Sequence, residues 1–471
     1  MSLTSLAFAG FAAVVLVAYY TLPRRAQNWL LLAASYAFYA SWSWWYVAVL
    51  CALTAINFAL GQRVYHAAEA RPRRGVLAIG IALNVLALAV FKFEDFFLPD
   101  LRARLNDWGT LGSLELLLPV GMSFYVVMLI SYLLDVANGH AEPARDPVDF
   151  ALYVAYFPRL LSGPITRARD FLPKLAAPRV VDDAALARSV MLIITGLVRK
   201  LVFADSLFLM LPARLFTRPE RFMGQQLAFY LLVYALALYN DFAGYSQVAR
   251  GVSGLLGIEL PVNFRVPYLS RSFSDFWNRW HITLSNWLRD YIYMPASRAL
   301  LARNPSRGNV PNLLLPPMAT MLISGFWHGT GWTMLLWGAL HGVYLVGERL
   351  LALWRPPRPP RLQPRWPQVT SGVVVLILVM LAWVPFATPD LALTIDYWRG
   401  LLDWSEWWRP PLRLIVALGP VLWLDWVQRN DELVFLRWPR LVQAGLLAVA
   451  CLLIFLASQA DASVPFVYQG F

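Results

Sequence analysis

Runs of about twenty apolar residues recur from one end of this chain to the other, with no long polar block between them. A helix satisfies its own backbone polar groups, so such a run can cross hydrocarbon. Runs of this kind cover 5–22, 28–46, 47–61, 75–93, 117–136, 189–211, 225–243, 332–354, 368–387, 411–427 and 440–458. Two more, 150–163 and 312–327, are short or interrupted by Pro and Gly and read as re-entrant or kinked. The pattern predicts an all-α polytopic membrane protein with about ten to twelve transmembrane or re-entrant segments. Composition agrees: 59% of the 471 residues are hydrophobic and 14% charged, where a soluble domain carries about 25% charged residues. One membrane-embedded domain is expected over 1–471.

The net charge is +12, from 40 Lys and Arg against 28 Asp and Glu. In a membrane protein that excess marks cytoplasmic loops and not nucleic acid. Arg24 and Arg25 follow the first run, and Arg63, Arg71, Arg73 and Arg74 follow the third. The turn between the second and third runs, Ser41 to Tyr46, carries three tryptophans and no charge. The N-terminus is therefore expected on the extracytoplasmic side. It lacks a charged leader and an A-x-A-like site, so it reads as a retained span. The stretch 355–366 reads as a stiff basic connector on the cytoplasmic side. Many of the 21 tryptophans, among them Trp42, Trp44, Trp45, Trp108, Trp354, Trp407 and Trp408, fall at run ends, as interfacial belts do. Cys51 and Cys451 lie in apolar runs, and no disulfide or metal site is expected.

Polarity concentrates in 261–309. It contains Ser272-Phe-Ser-Asp-Phe-Trp-Asn-Arg-Trp-His281-Ile-Thr-Leu-Ser-Asn-Trp-Leu-Arg-Asp-Tyr291. On a helical period Trp277, Trp280, Leu284, Trp287 and Tyr291 share a face, predicting an amphipathic helix at or in the membrane interface. His281 shares a stripe with Trp277, Leu284 and Leu288. A packed histidine or a functional one both fit there.

The second constellation is Ser324-Gly-Phe-Trp-His328-Gly-Thr-Gly-Trp332, with three glycines in 325–331 around one histidine. Glycines let a helix break and a backbone come close. A histidine at such a break is costly at membrane depth unless used, and it suits general-base chemistry near neutral pH. His341, in Trp337-Gly-Ala-Leu-His-Gly, fits helix packing or support of a catalytic group. His66 and His140 fall in loops. Asp241 ends an apolar run and fits either a channel wall or a plain ion pair. Acyl transfer to a hydroxyl needs a base, donors for an oxyanion, and exclusion of water. No Gly-x-Ser-x-Gly elbow or phosphate loop points to other chemistry.

The segments Arg279-Trp-His-Ile-Thr-Leu-Ser-Asn-Trp-Leu-Arg-Asp-Tyr291 and Gly325-Phe-Trp-His-Gly-Thr-Gly-Trp332, whose histidines are 47 positions apart, resemble the signature of the membrane-bound O-acyltransferase (MBOAT) family. Four further stretches resemble its bacterial branch that modifies surface polysaccharides such as alginate and teichoic acid. They are Pro119-Val-Gly-Met-Ser-Phe-Tyr, Phe157-Pro-Arg-Leu-Leu-Ser-Gly-Pro-Ile-Thr-Arg, Gly196-Leu-Val-Arg-Lys-Leu-Val-Phe-Ala-Asp and Asn240-Asp-Phe-Ala-Gly-Tyr-Ser. Pro465-Phe-Val-Tyr-Gln-Gly-Phe471 also fits, so the resemblance runs from about 117 to the end; 1–116 is less recognisable. Asn240-Asp241 and Trp383-Val-Pro-Phe-Ala387 depart from the family pattern, the latter by lacking an arginine.

The resemblance implies a ring of helices around a central tunnel, with His328 as the catalytic histidine and His281 as the second one. Asp241, Asn286, Arg289, Trp327 and Tyr245 become candidates for the substrate channel. It implies no permanently bound cofactor, a cytoplasmic thioester donor (acetyl-CoA favoured over a D-alanyl carrier), and a polysaccharide acceptor outside a bacterial inner membrane. In the alginate branch a separate extracytoplasmic hydrolase-like protein finishes the transfer, so a partner of that kind is expected. The alternative is a transporter or flippase of lipid-linked glycans. That reading predicts internal symmetry and charges spread over several helices, whereas polarity here gathers around two histidines.

Overall fold

Hydrocarbon offers the backbone no partner, and the chain answers with helices. The computed structural model describes residues 1–67, 70–92, 118–306, 309–354 and 365–459, and no strand occurs among them. Trp108, most of the basic connector and the motif at 465–471 lie outside the described residues. Among the described residues, five helices are long and apolar enough to cross a membrane: Trp44–His66, Arg71–Lys92, Gly224–Leu255, Gln368–Ala387 and Arg440–Ser458. The chain is a multi-pass membrane protein, and its described helices gather into two compact units.

The first unit comprises the chain up to Leu197 together with Tyr245–Pro261. Its helices are α1 (Leu6–Thr21), α2 (Arg24–Ala40), α3 (Trp44–His66), α4 (Ala70–Lys92), α5 (Met122–Ala137), α6 (Pro147–Ala155), α7 (Ala168–Ala176) and α8 (Asp183–Leu197). Caps follow local chemistry: the Ser5 hydroxyl accepts from the Phe8 N–H at 3.1 Å, and Asp146 accepts from Val148 N–H at 2.8 Å ahead of Pro147. Phe8, Phe11, Phe38 and Phe157 form one ring cluster with centroids 5.4–6.2 Å apart. Asn57 on α3 and Asn84 on α4 exchange amide hydrogen bonds at 3.1 and 2.7 Å, and each also donates to a carbonyl of its own helix. Gly121 has φ +80°, and a Cβ there would meet the Leu160 and Leu161 backbone, so glycine is required. Arg159, buried, donates to the Thr166 hydroxyl and the Tyr153 carbonyl and lies 4.3 Å over the Phe171 ring.

The second unit holds Val198–Gly244 and the chain from Val262 onward. A π-helical turn over Val198–Ala204 leads into α9 (Asp205–Leu209), where one apolar run suggested a single span. Then follow α10 (Gly224–Leu255), whose residues from Tyr245 on belong to the first unit, α11 (Phe273–Trp277), α12 (Ile282–Leu288), a second π turn at Arg289–Tyr293, and α13 (Met294–Arg303). The last helices are α14 (Val310–His328), α15 (Trp332–Trp354), α16 (Arg365–Ala387), α17 (Leu391–Gly400), α18 (Leu412–Gln428) and α19 (Arg440–Ser458). Leu207, Val233, Leu236, Ala237, Leu414, Leu418 and Val421 make an apolar core.

One expectation is refined and another changes. The run 312–327 is a continuous helix although it contains Pro316 and Pro317. Pro317 cannot donate to the Leu313 carbonyl, and Arg349 of α15 donates to it instead at 3.4 Å. The amphipathic segment 272–291 is not one helix. It breaks after Trp277 and turns at His281, where the chain exchanges hydrogen bonds with Asn263 and Arg265 of the preceding stretch.

Candidate active site

Asn263 organises the first half of the site. Its carbonyl accepts from Ile282 N–H at 2.9 Å, and its side-chain oxygen accepts from the Thr283 hydroxyl at 2.9 Å. Arg265 N–H donates to the Arg279 carbonyl at 2.9 Å. Between these bonds His281 adopts φ 42°, ψ 51°, a left-handed conformation that costs a non-glycine residue about 1 kcal/mol or more. The turn aims the imidazole inward: it is buried, edge-on to Phe242 at 4.7 Å and stacked on Phe264 at 6.4 Å. Burial pushes the imidazole pKa down to about 3, which keeps it neutral near pH 7.

The second half is a helix end. α14 terminates at His328, with Gly329 as the capping residue. His328 is buried, at 4.8 Å from Trp327, 4.9 Å from Trp337 and 5.5 Å from Phe386. The glycines serve both expected purposes. Gly329 lies at the break, whereas Gly325 is inside α14, and its added Cβ would strike the Met334 carbonyl. A Cβ on Gly338 would likewise strike the Met321 carbonyl. These two glycines let α14 and α15 pack backbone to backbone, and that fixes where His328 comes to rest.

The two histidines meet around one ring. Trp327 lies 6.2 Å from His281 and 4.8 Å from His328. Asn286 is half-buried on α12, and Arg289 is exposed, with its guanidinium 2.8 Å from Asp290. His341 is buried on α15 beside Trp337. Tyr245 is buried in the first unit.

Asp241 is paired. The ammonium of Lys200 lies 2.7 Å from its carboxylate and 2.6 Å from that of Asp205. The neighbouring Arg199 donates to Asn240 at 2.7 Å and to Asp425 and Gln428 at 2.8 Å. Two adjacent cations on the π turn thus meet the adjacent Asn240 and Asp241 on α10. Both stretches stand out in the sequence, but nothing local in it joins them. The signal available was two consecutive cations inside an apolar run, which demand buried partners.

The sequence profile of the MBOAT, membrane-bound O-acyltransferase family, matches residues 31–386. The match begins well before residue 117 and stops short of the C-terminal motif. A probable alginate O-acetylase of Azotobacter vinelandii is 34% identical over 84% of this chain and 77% of its own length. A peptidoglycan O-acetyltransferase of Helicobacter pylori is 29% identical over 85% and 79%. A teichoic acid D-alanyltransferase of Streptococcus thermophilus is 30% identical over 50% and 58%. The chain belongs to the membrane-bound O-acyltransferase family, and it is an acyltransferase.

Proposed function

We propose that this enzyme moves an acetyl group from acetyl-CoA on the cytoplasmic side towards hydroxyls of an extracytoplasmic polysaccharide, with His328 as general base. The observation carrying this reading is the position of His328: a buried imidazole at a helix end, one indole away from a second buried histidine. The acceptor oxygen attacks the thioester carbonyl carbon as His328 takes the hydroxyl proton. The C–S bond then breaks, and the sulfur leaves as a thiol carrying that proton. A positioned base contributes about 10²–10⁴-fold.

His281, neutral and held by a rigid turn, orients the reacting groups. Trp327 and Asn286 line the acyl path. Arg289, exposed beyond them, suits an anionic donor such as a coenzyme, and the paired Asp241 braces the wall. Tyr245 is assigned to the channel on the family pattern alone. The enzyme acts in a bacterial inner membrane, with its N-terminus outside, as one acyltransferase domain. An extracytoplasmic acetyltransferase or hydrolase-like partner completes delivery. The O-acetyl relatives match far more of the chain than the D-alanyl one, which favours acetyl.

The test uses membranes containing the full chain and its export partners. They receive acetyl-CoA labelled in the acetyl group, with D-alanyl carrier protein in a parallel arm. Wild type should move label from CoA to polymer, and His328→Ala should lose about 10³-fold. A folded His328→Ala variant with wild-type transfer overturns the role of the base. Transfer only from the carrier protein replaces the donor.

A further inference from the structure

His341 is fully buried, four residues after Trp337 on α15. Its ring is walled by Trp337 at 4.9 Å, Trp277 at 5.0 Å, Tyr344 at 5.8 Å and Phe276 at 6.1 Å. Trp277 and Trp337 lie 5.9 Å from each other, so three polar rings converge. Among the described residues neither nitrogen of His341 has a hydrogen-bond partner, and neither do the indole N–H groups of Trp277 and Trp337. Buried groups of this kind are ordinarily answered by a protein group, a ligand or an ordered water.

The donor set selects the ligand. Each indole only donates, and a neutral imidazole offers one donor and one acceptor. A metal ion finds too few lone pairs here. An anion finds no cation among the ring-bearing residues that wall His341. A water molecule suits this donor set: its oxygen can accept from the indoles, and one O–H can donate to the bare imidazole nitrogen.

We propose that a water molecule is bound between His341 and the indole N–H groups of Trp277 and Trp337, and that this centre fixes Trp337. Trp337 also packs against His328 at 4.9 Å and 81°, so a shift of the indole moves the imidazole. His341 is a positioning residue for His328. This rests on the reading of His328 as the base.

The experiment compares His341→Phe, His341→Gln and His328→Ala in the same membranes, with the indole N–H band followed by ultraviolet resonance Raman spectroscopy. His341→Phe fills the space with carbon. It should fold, leave the KM for the donor unchanged and lower kcat on the order of 10-fold. It should also move indole intensity from the hydrogen-bonded to the free position. His341→Gln, which can still donate and accept, should recover most of the loss in kcat. Wild-type kcat in His341→Phe, or an unmoved indole band, overturns the proposal. If His341→Phe does not fold, the difference spectrum of wild type minus Trp277→Phe decides: a hydrogen-bonded component supports the water, and a free one overturns it. Activity in His328→Ala sinks the base, whereas an inactive His328→Ala beside a fully active His341→Phe sinks only the water.

Discussion

The two histidine-bearing turns of the second unit reach the same ring by opposite means. At His281 the backbone itself is bent into a left-handed conformation and held by hydrogen bonds that Asn263 accepts. At His328 the backbone is relaxed, and placement comes from two helices pressed together at Gly325 and Gly338. The first device is local and is fixed by a few polar contacts. The second is distributed along a helix pair. The difference teaches that one residue type at one site can be placed by specific bonds or by close packing, and that each has its own point of failure.

The largest effect should come from separating the helices. Gly338→Val should cost about 1–3 kcal/mol of stability by overpacking. It should also cost transfer on the order of 10²-fold, since small misplacements near the chemistry are amplified. Activity and thermal unfolding in detergent are the readouts, and wild-type transfer in this variant would break the packing half of the comparison. Next is Asn263→Ala, which removes the acceptor for Thr283. A loss of about 1–3 kcal/mol and roughly 10-fold in transfer is expected, with a smaller effect if the turn holds by its backbone bonds alone.

A smaller effect separates strain from chemistry at His281. His281→Asn and His281→Ala both remove the imidazole, but Asn tolerates left-handed backbone. The Asn variant should be the more stable by about 1 kcal/mol, and equal unfolding midpoints would show that the turn stores nothing. The last effect vanishes at neutral pH and emerges only on acidification. The folded-state pKa of His281, about 3, lies below its ordinary value of about 6.5. The unfolded chain therefore takes a proton that the folded protein excludes. This contribution is complete above about pH 6.5 and is lost as pH falls towards 3, by about 1 kcal/mol per unit. Unfolding midpoints measured across that range should flatten in His281→Gln.

Much of this was legible in the chain. Apolar runs gave the helices, because length and hydropathy alone decide what can lie in hydrocarbon. The glycines around His328 marked it, although Gly325 and Gly338 serve close approach and not the break. The turn at His281 was hidden: the apolar period continues through 277–291, and the bonds that interrupt it are made with Asn263, eighteen positions upstream, and Arg265. Both π turns were hidden as well, since they alter the helix without altering composition. The partner of Arg199, Asp425, sits 226 positions away, a pairing that no local pattern encodes.

The reciprocal amides of Asn57 and Asn84 carry a consequence for how such a chain changes over generations. Losing one amide strands the side-chain oxygen of the other in an apolar interior at a cost of about 1–3 kcal/mol, yet two leucines in their place would strand nothing. The intermediate is worse than either end. The two positions should therefore be inherited as a linked pair, substituted together or left alone.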